Sequence, residues 1–293
     1  MKNFMDTALE LRIKFENNEP LTEDEIKNFL EKSFLLKKLT SDFSDEPLFL
    51  VWRVIALSEI PHSNKLEYTQ NIIRKILHKM GTAYGFILTG EADYLLPCYN
   101  AMLISALCKL GLPENEIVKN GISWIMEYQV FARNKVCNWR GTGIKKYGGC
   151  FKTVPCYIGL AKALKALINY NKYHRKNLIQ NKIDIGIEYL LKHHLYKRLS
   201  NGEPITKHIL DIAFPESYNL NIVELLDIVY SAGKINDERV NEAVDYLNSK
   251  RQKNGGWKTN YVYKSKGYVS FDARGQIGEW VTYLLEKILS KNK

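Results

Sequence analysis

Three segments of this chain repeat one short helical signature. KNGISWIMEYQ from Lys119, DIGIEYLLKHH from Asp184 and NEAVDYLNSKRQ from Asn241 each place a small residue, then Ile or Val, a variable residue, an aromatic, and Ile or Leu. The small residues are Gly121, Gly186 and Ala243, and the aromatics are Trp124, Tyr189 and Tyr246. Residues three apart share a helix face, so the small residue opens room beside the aromatic for a neighbouring helix to approach closely. Each copy is followed by a loop and a more apolar helix: CYIGLAKALKALINY from Cys156, YNLNIVELLDIVYSAG from Tyr218 and QIGEWVTYLLEKIL from Gln276. CYNAMLISALCKLGL from Cys98 precedes the first copy. A helical hairpin that recurs after about 60 residues cannot bury its apolar face alone and must stack on its neighbours.

An all-α fold follows, in which apolar helices form an inner wall and amphipathic helices an outer one. Inner-type helices begin near Asp6, Glu46, Cys98, Cys156, Tyr218 and Gln276. That predicts an (α/α) toroid of about six hairpins around a central cavity, one domain over residues 1–293. An open solenoid is the alternative, and the long, variable loops favour the closed ring. TEDEIKNFLEKSFLLKKL opens with a capping box, Thr22 with Glu25 three residues on. DEPLFLVWRVIALSEI is apolar nearly all round, as a helix buried on several sides requires. Short extended pieces are expected only near Tyr261 to Phe271, where β-branched and aromatic residues mix.

The formal net charge is +10, from 42 Lys and Arg against 32 Asp and Glu. No compact basic tract or nucleic-acid motif accompanies it, so the charge reads as a solvated lysine-rich surface and not as a specific nucleic-acid site. No apolar run is long enough to span a bilayer. The start reads as an amphipathic helix and not as a signal peptide. Five cysteines are an odd number for a disulfide framework, and reduced thiols in a cytoplasmic protein are the expectation.

At RQKNGGWKT, Arg251 to Thr259, the chain resembles the glutamine–tryptophan repeat of the terpenoid cyclase and protein prenyltransferase superfamily. There an outer helix ends in Gln, a Gly-Gly turn follows, and an aromatic packs back. Gln129 ends an earlier copy without that sequel. Within the superfamily the likeness is greatest to prokaryotic squalene-cyclase-like and prenyltransferase-like proteins. It is carried by LLPCYNAM, the Cys137–Cys156 loop, GLAKALKAL, YLLKHHLYKR, FPESYNLNIVELLDI and GEWVTYLLEKIL, over residues 80–291. The resemblance implies a toroid around a cavity and, for an enzyme, a transferase or cyclase-like reaction on a hydrophobic, isoprenoid-like substrate. The chain departs from the superfamily at its acids: it has no Asp-rich DxDD motif, no Asp-rich magnesium motif and no Asp-x-Cys zinc pair. One fold hosts many functions, so a non-catalytic toroid that binds a ligand, a peptide or a protein partner is the second reading.

In such a toroid, outer C-termini and inner N-termini share one end. Cys98 and Cys156 each follow a proline and begin successive inner helices, and Cys137 and Cys150 lie on the loop between. Cys98, Cys137, Cys150 and Cys156 are thus candidate ligands at one mouth, for zinc or alternatively an iron–sulfur cluster. Reactive thiols at helix starts and buried structural thiols are the other readings; Cys108, inside its helix, belongs to the core. His194, with His193, ends an outer helix at that mouth and is a candidate base or a helix-terminus cation. Asp272, with Arg274, precedes the last inner helix as a candidate acid or a helix-entry residue. Tyr94, Tyr99, Trp139, Tyr218 and Trp280 are candidate cavity aromatics, or core packing. Glu216 reads as favouring a helix start.

Overall fold

A computed structural model describes residues 5–139 and 154–291, and the fold is all-α. Among the described residues the helices are α1 (Thr7–Glu16), α2 (Glu23–Lys32), α3 (Phe34–Thr40), α4 (Pro47–Ser58), α5 (Glu67–Met80), α6 (Pro97–Lys109), α7 (Glu116–Tyr128), α8 (Tyr157–His174), α9 (Asn177–Lys192), α10 (Ile222–Ser231), α11 (Asn241–Lys250) and α12 (Glu279–Leu289). Two-residue strands β1 (Gly81–Thr82) and β2 (Gly85–Phe86) pair antiparallel. The Tyr261 to Phe271 stretch forms no strand and runs as irregular loop over the core. Its aromatics satisfy their packing there without a ladder, as when Tyr268 donates to the Pro215 carbonyl at 2.8 Å.

Local chemistry sets the helix starts. Thr22 and Glu25 close the expected capping box at the start of α2. The single helix expected over residues 22–39 is two. Ser33 takes extended backbone and its hydroxyl accepts from the Leu36 amide, so a new N-terminus begins at Phe34. Asp6 caps α1, and Pro47 and Pro97 start α4 and α6. α10 and α12 start later than the apolar pattern does, after Asn221 and Gly278. Asn221 accepts from the Glu224 amide and so fixes the start of α10.

Packing passes from one apolar helix to the next. α4 packs on α6, α6 on α8, α8 on α10, and α10 on α12. α1 joins both ends of this series. Its Arg12 donates to the Glu59 carbonyl at 3.2 Å and carboxylate at 2.8 Å at the end of α4. Its Glu16 accepts from Tyr283 at 2.6 Å and Lys287 at 2.7 Å on α12. The repeated small residues sit where the expectation placed them, at close approaches. A Cβ on Gly121 of α7 would lie 2.5 Å from Ile104 of α6, and one on Gly186 of α9 would lie 2.9 Å from Leu164 of α8. After α11 the Gly-Gly turn returns Trp257 to the core, fully buried, with its indole donating to the Leu247 carbonyl at 2.7 Å.

Candidate functional site

α1, α4, α6, α8, α10 and α12 present their middle or C-terminal residues to one cleft of about 650 Å³. Arg12 and Glu16 come from α1, Glu59 from the end of α4, Lys109 from α6, Lys165 and Lys172 from α8, Asp227 from α10 and Lys287 from α12. Helix C-termini carry partial negative charge, which favours cations there, and five cations on this lining face three carboxylates. Glu59 is buried between Lys109 at 2.7 Å and Arg12 at 2.8 Å. Burial opposes its charge, but the two cations win and hold its carboxyl down at about 2. Burial opposes the charge of Arg12 as well, and Glu59 with Glu16 holds the guanidinium above its usual range. Lys172 is different. It donates to Asn169 at 3.0 Å and, among the described residues, forms no ion pair. Desolvation by the cleft walls lowers its ammonium below the usual lysine value, and Lys109, Lys165 and Lys287 add to the effect against Asp227.

The cleft narrows to a recess of about 20 Å³, room for about one water molecule. Cleft and recess share Arg12, Glu59, Lys165 and Asp227, and the recess ends on Glu216, Asn221 and Glu224. Lys162, with no exposed side chain, donates to Glu216 at 3.1 Å, to the Ser217 carbonyl at 2.9 Å and to both Glu224 oxygens at 2.7 and 2.6 Å. Lys165 reaches Glu216 at 3.3 Å. Glu216 is therefore no simple helix-start residue: it is a buried partner of two lysines. Burial opposes its ionisation, and Lys165 and Lys162 overcome that and keep it well below the ordinary carboxylate range. Glu224 goes the other way, pushed up to about 7 by burial and by Glu216 against the pull of Lys162.

The candidate aromatics are dispersed. Tyr99 and Tyr218 lie 6.0 Å apart, centroid to centroid, in a cluster that continues through Trp52 to Tyr263 and Tyr268. These rings pack on one another. Trp139 packs with Tyr84, Trp124 and Tyr128. Trp280 stacks on Phe214, and the Arg12 guanidinium lies over both rings at 5.8 and 5.7 Å. Tyr94 is half-buried against the core.

The candidate acid and base are engaged elsewhere. Asp272 is buried and accepts from the Trp280 and Val281 amides at 3.2 and 3.0 Å, which makes it a cap of α12. His194 lies 3.1 Å from Glu242, partly exposed, outside the cleft lining. His193 is buried beside Tyr157 and Tyr189, and burial lowers its imidazole.

Cys98 and Cys156 lie at the N-terminal ends of α6 and α8, away from the charged cleft, whereas Cys108 lies near the C-terminal end of α6 and Cys137 on the loop after α7. Cys98 is the second residue of α6, and Cys156 caps α8 with its sulfur accepting from the Gly159 amide at 3.3 Å. Burial, reinforced by Cys156, pushes the Cys98 thiol up to about 12; burial does the same to Cys108. Cys137 and Cys156 line one narrow apolar recess with Trp124 and Trp139. Cys150 lies outside the described residues. Among the described residues no group of three His, Cys, Asp or Glu is placed to hold a metal ion. Of the residues that sequence reasoning passed over, Arg12, Lys162, Lys165 and Glu224, three share one signal. Lys162, Lys165 and Glu224 are charges inside largely apolar helical runs, and Lys162 and Lys165 are three apart on one face, whereas Arg12 sits among the other charges of α1 and carries no such signal.

Compared with protein-family models, with curated proteins and with solved structures, the chain matches none of them.

Proposed function

We propose that this chain is an (α/α) toroid whose central cleft captures a small anionic molecule, one bearing carboxylate or phosphate groups. The observation that carries it is the lining: all six inner helices contribute to one cleft, and cations there outnumber carboxylates. Balanced ion pairs would serve stability alone. Lys172 goes beyond balance, since it faces the cleft among three other cations with only an amide oxygen to bind. An incoming anion relieves that repulsion and completes the pairing. A prenyl-type hydrophobic substrate with transferase or cyclase-like chemistry, as the resemblance implies, calls for an apolar cavity wall. The aromatic rings that would form it pack on one another instead, so the charged cleft supports the anion better.

Titration calorimetry with citrate and inorganic phosphate, beside farnesol as an isoprenoid probe, tests the proposal. The anions are expected to bind and to weaken as salt rises. Lys172→Met is expected to weaken citrate about tenfold, the loss of one charge-assisted contact. Farnesol binding with no anion binding would sink the reading and restore the hydrophobic one.

A further inference from the structure

The floor of the cleft holds groups that anion capture at the mouth does not need. Glu216 and Glu224 are 5% and 4% exposed and converge on one ammonium, Lys162 Nζ, at 3.1 Å and at 2.7 and 2.6 Å. Two carboxylates have no donor between them, so each is satisfied by the lysines or by a proton of its own. Like charges in contact and shielded from water favour sharing one proton over losing both. The neighbours decide where it resides. Glu216 accepts from both Lys162 and Lys165, whereas Glu224 accepts from Lys162 alone, with Lys165 at 3.8 Å. The anionic form is thus better matched at Glu216, and the proton belongs to Glu224.

We propose that the Glu224–Glu216 pair, clamped by Lys162 and Lys165, is an acid–base centre in which Glu224 exchanges a proton with the molecule bound in the cleft. The inference rests on the cleft reading above and gives the site a chemical task. In one direction the Glu224 O–H bond breaks, its proton passes to a basic atom of the ligand, and the new carboxylate faces two ammonium groups. In the other, the carboxylate takes a proton from an acidic O–H, N–H or C–H of the ligand; no other bond changes. Glu224 and Lys165 both line the one-water recess, and Lys165 lines the cleft as well. The remaining charged neighbours are Arg12 of α1, Glu59 of α4, Lys109 of α6 and Asp227 of α10, and the neutral phenol of Tyr268 adjoins them from the loop after α11. The rise of the Glu224 carboxyl to about 7 puts its exchange near neutrality.

Carbon-13 NMR of protein labelled at glutamate carboxyls tests this on the full chain without ligand. One glutamate should titrate near neutrality in the wild type, and that signal should be gone in Glu224→Gln. Glu216→Gln removes the neighbouring negative charge and should return the Glu224 midpoint towards the ordinary glutamate range. No glutamate titrating above pH 6, or a neutral titration that survives Glu224→Gln, overturns the proposal. Should Glu224→Gln fail to fold, an unmoved midpoint in Glu216→Gln overturns it equally. Sulfate, ionised throughout this range, then probes the link to ligand. Calorimetry in buffers of different ionisation heat should show proton uptake on sulfate binding at pH 7, lost in Glu224→Gln. Binding without uptake refutes the link. No sulfate binding at all counts against anion capture and removes the ligand half of this proposal, while the titration is read independently.

Discussion

Replacing Glu59 by Gln removes one negative charge from between two cations. Glu59 is 5% exposed, with Arg12 at 2.8 Å and Lys109 at 2.7 Å on its two oxygens. Its carboxyl lies at about 2 against an ordinary 4.5, and at about 1.4 kcal/mol per unit this is a stabilisation of about 3 kcal/mol. The sign follows from the lowered folded value. The contribution is fully present above pH 4.5 and is lost as pH falls from there through about 2. Breaking a buried pair from one side costs about 3–5 kcal/mol, because the partner charges stay behind unpaired. Glu59→Gln is therefore expected to lose about 3 kcal/mol at pH 7 by urea denaturation, and its gap from the wild type should narrow below pH 4.5. Adding Lys109→Met should recover part of the loss, since it withdraws one stranded cation. A loss under about 1 kcal/mol, with an unchanged pH slope, would refute the view that Glu59 neutralises the cleft from a desolvated position.

Two further outcomes follow from packing. Iodoacetamide on the folded protein at pH 8 should label Cys137 before Cys98 and Cys108. Cys137 is half-exposed, while thiols held at about 12 leave roughly one molecule in ten thousand as thiolate; equal labelling of Cys98 by mass spectrometry would contradict its burial. Gly121→Ala should destabilise the fold by about 1–2 kcal/mol in urea, because the added Cβ meets Ile104 at 2.5 Å and Asn100 at 2.9 Å and overpacking outweighs the gain in helix propensity. Gly186→Ala, where the nearest atom is a Leu164 methyl at 2.9 Å, should stay within about 1 kcal/mol of the wild type.

Much of the all-α fold was legible from periodicity because it depends on apolar spacing. Thr22 with Glu25, Asp6, Pro47 and Pro97 start helices where their chemistry says they should. The break at Ser33 was not legible, since the apolar pattern runs on through Phe34 and Leu35 and only the hydroxyl contact to Leu36 marks a new start. The charged cleft was harder to read. Its partners are far apart in sequence: Glu59 meets residues 47 and 50 positions away, and Lys162 meets Glu216 and Glu224 at separations of 54 and 62. No local window joins them. Cys98 and Cys156 mark the N-terminal ends of α6 and α8, whereas the cleft opens among the C-terminal halves of the apolar helices. Asp272 shows the converse difficulty, for an acid ahead of a helix looks the same in sequence whether it caps the helix or serves chemistry.

The contacts of α1 with α12 bear on how the molecule is made. Glu16 and Lys287 are 271 residues apart, and synthesis at about 5–20 residues per second separates their appearance by roughly 15–55 seconds. During that interval five of the six inner helices can assemble, but Glu16 lacks Tyr283 and Lys287, and Phe214 lacks the Trp280 ring stacked on it. α12 is the last of these six apolar helices to be made, and its contacts with α1 join the two ends of the series. A nascent molecule stopped short of α12 would already carry the cleft lining from Arg12 to Ser231, but would lack Lys287 and the partners that tie α1 to the end of the series.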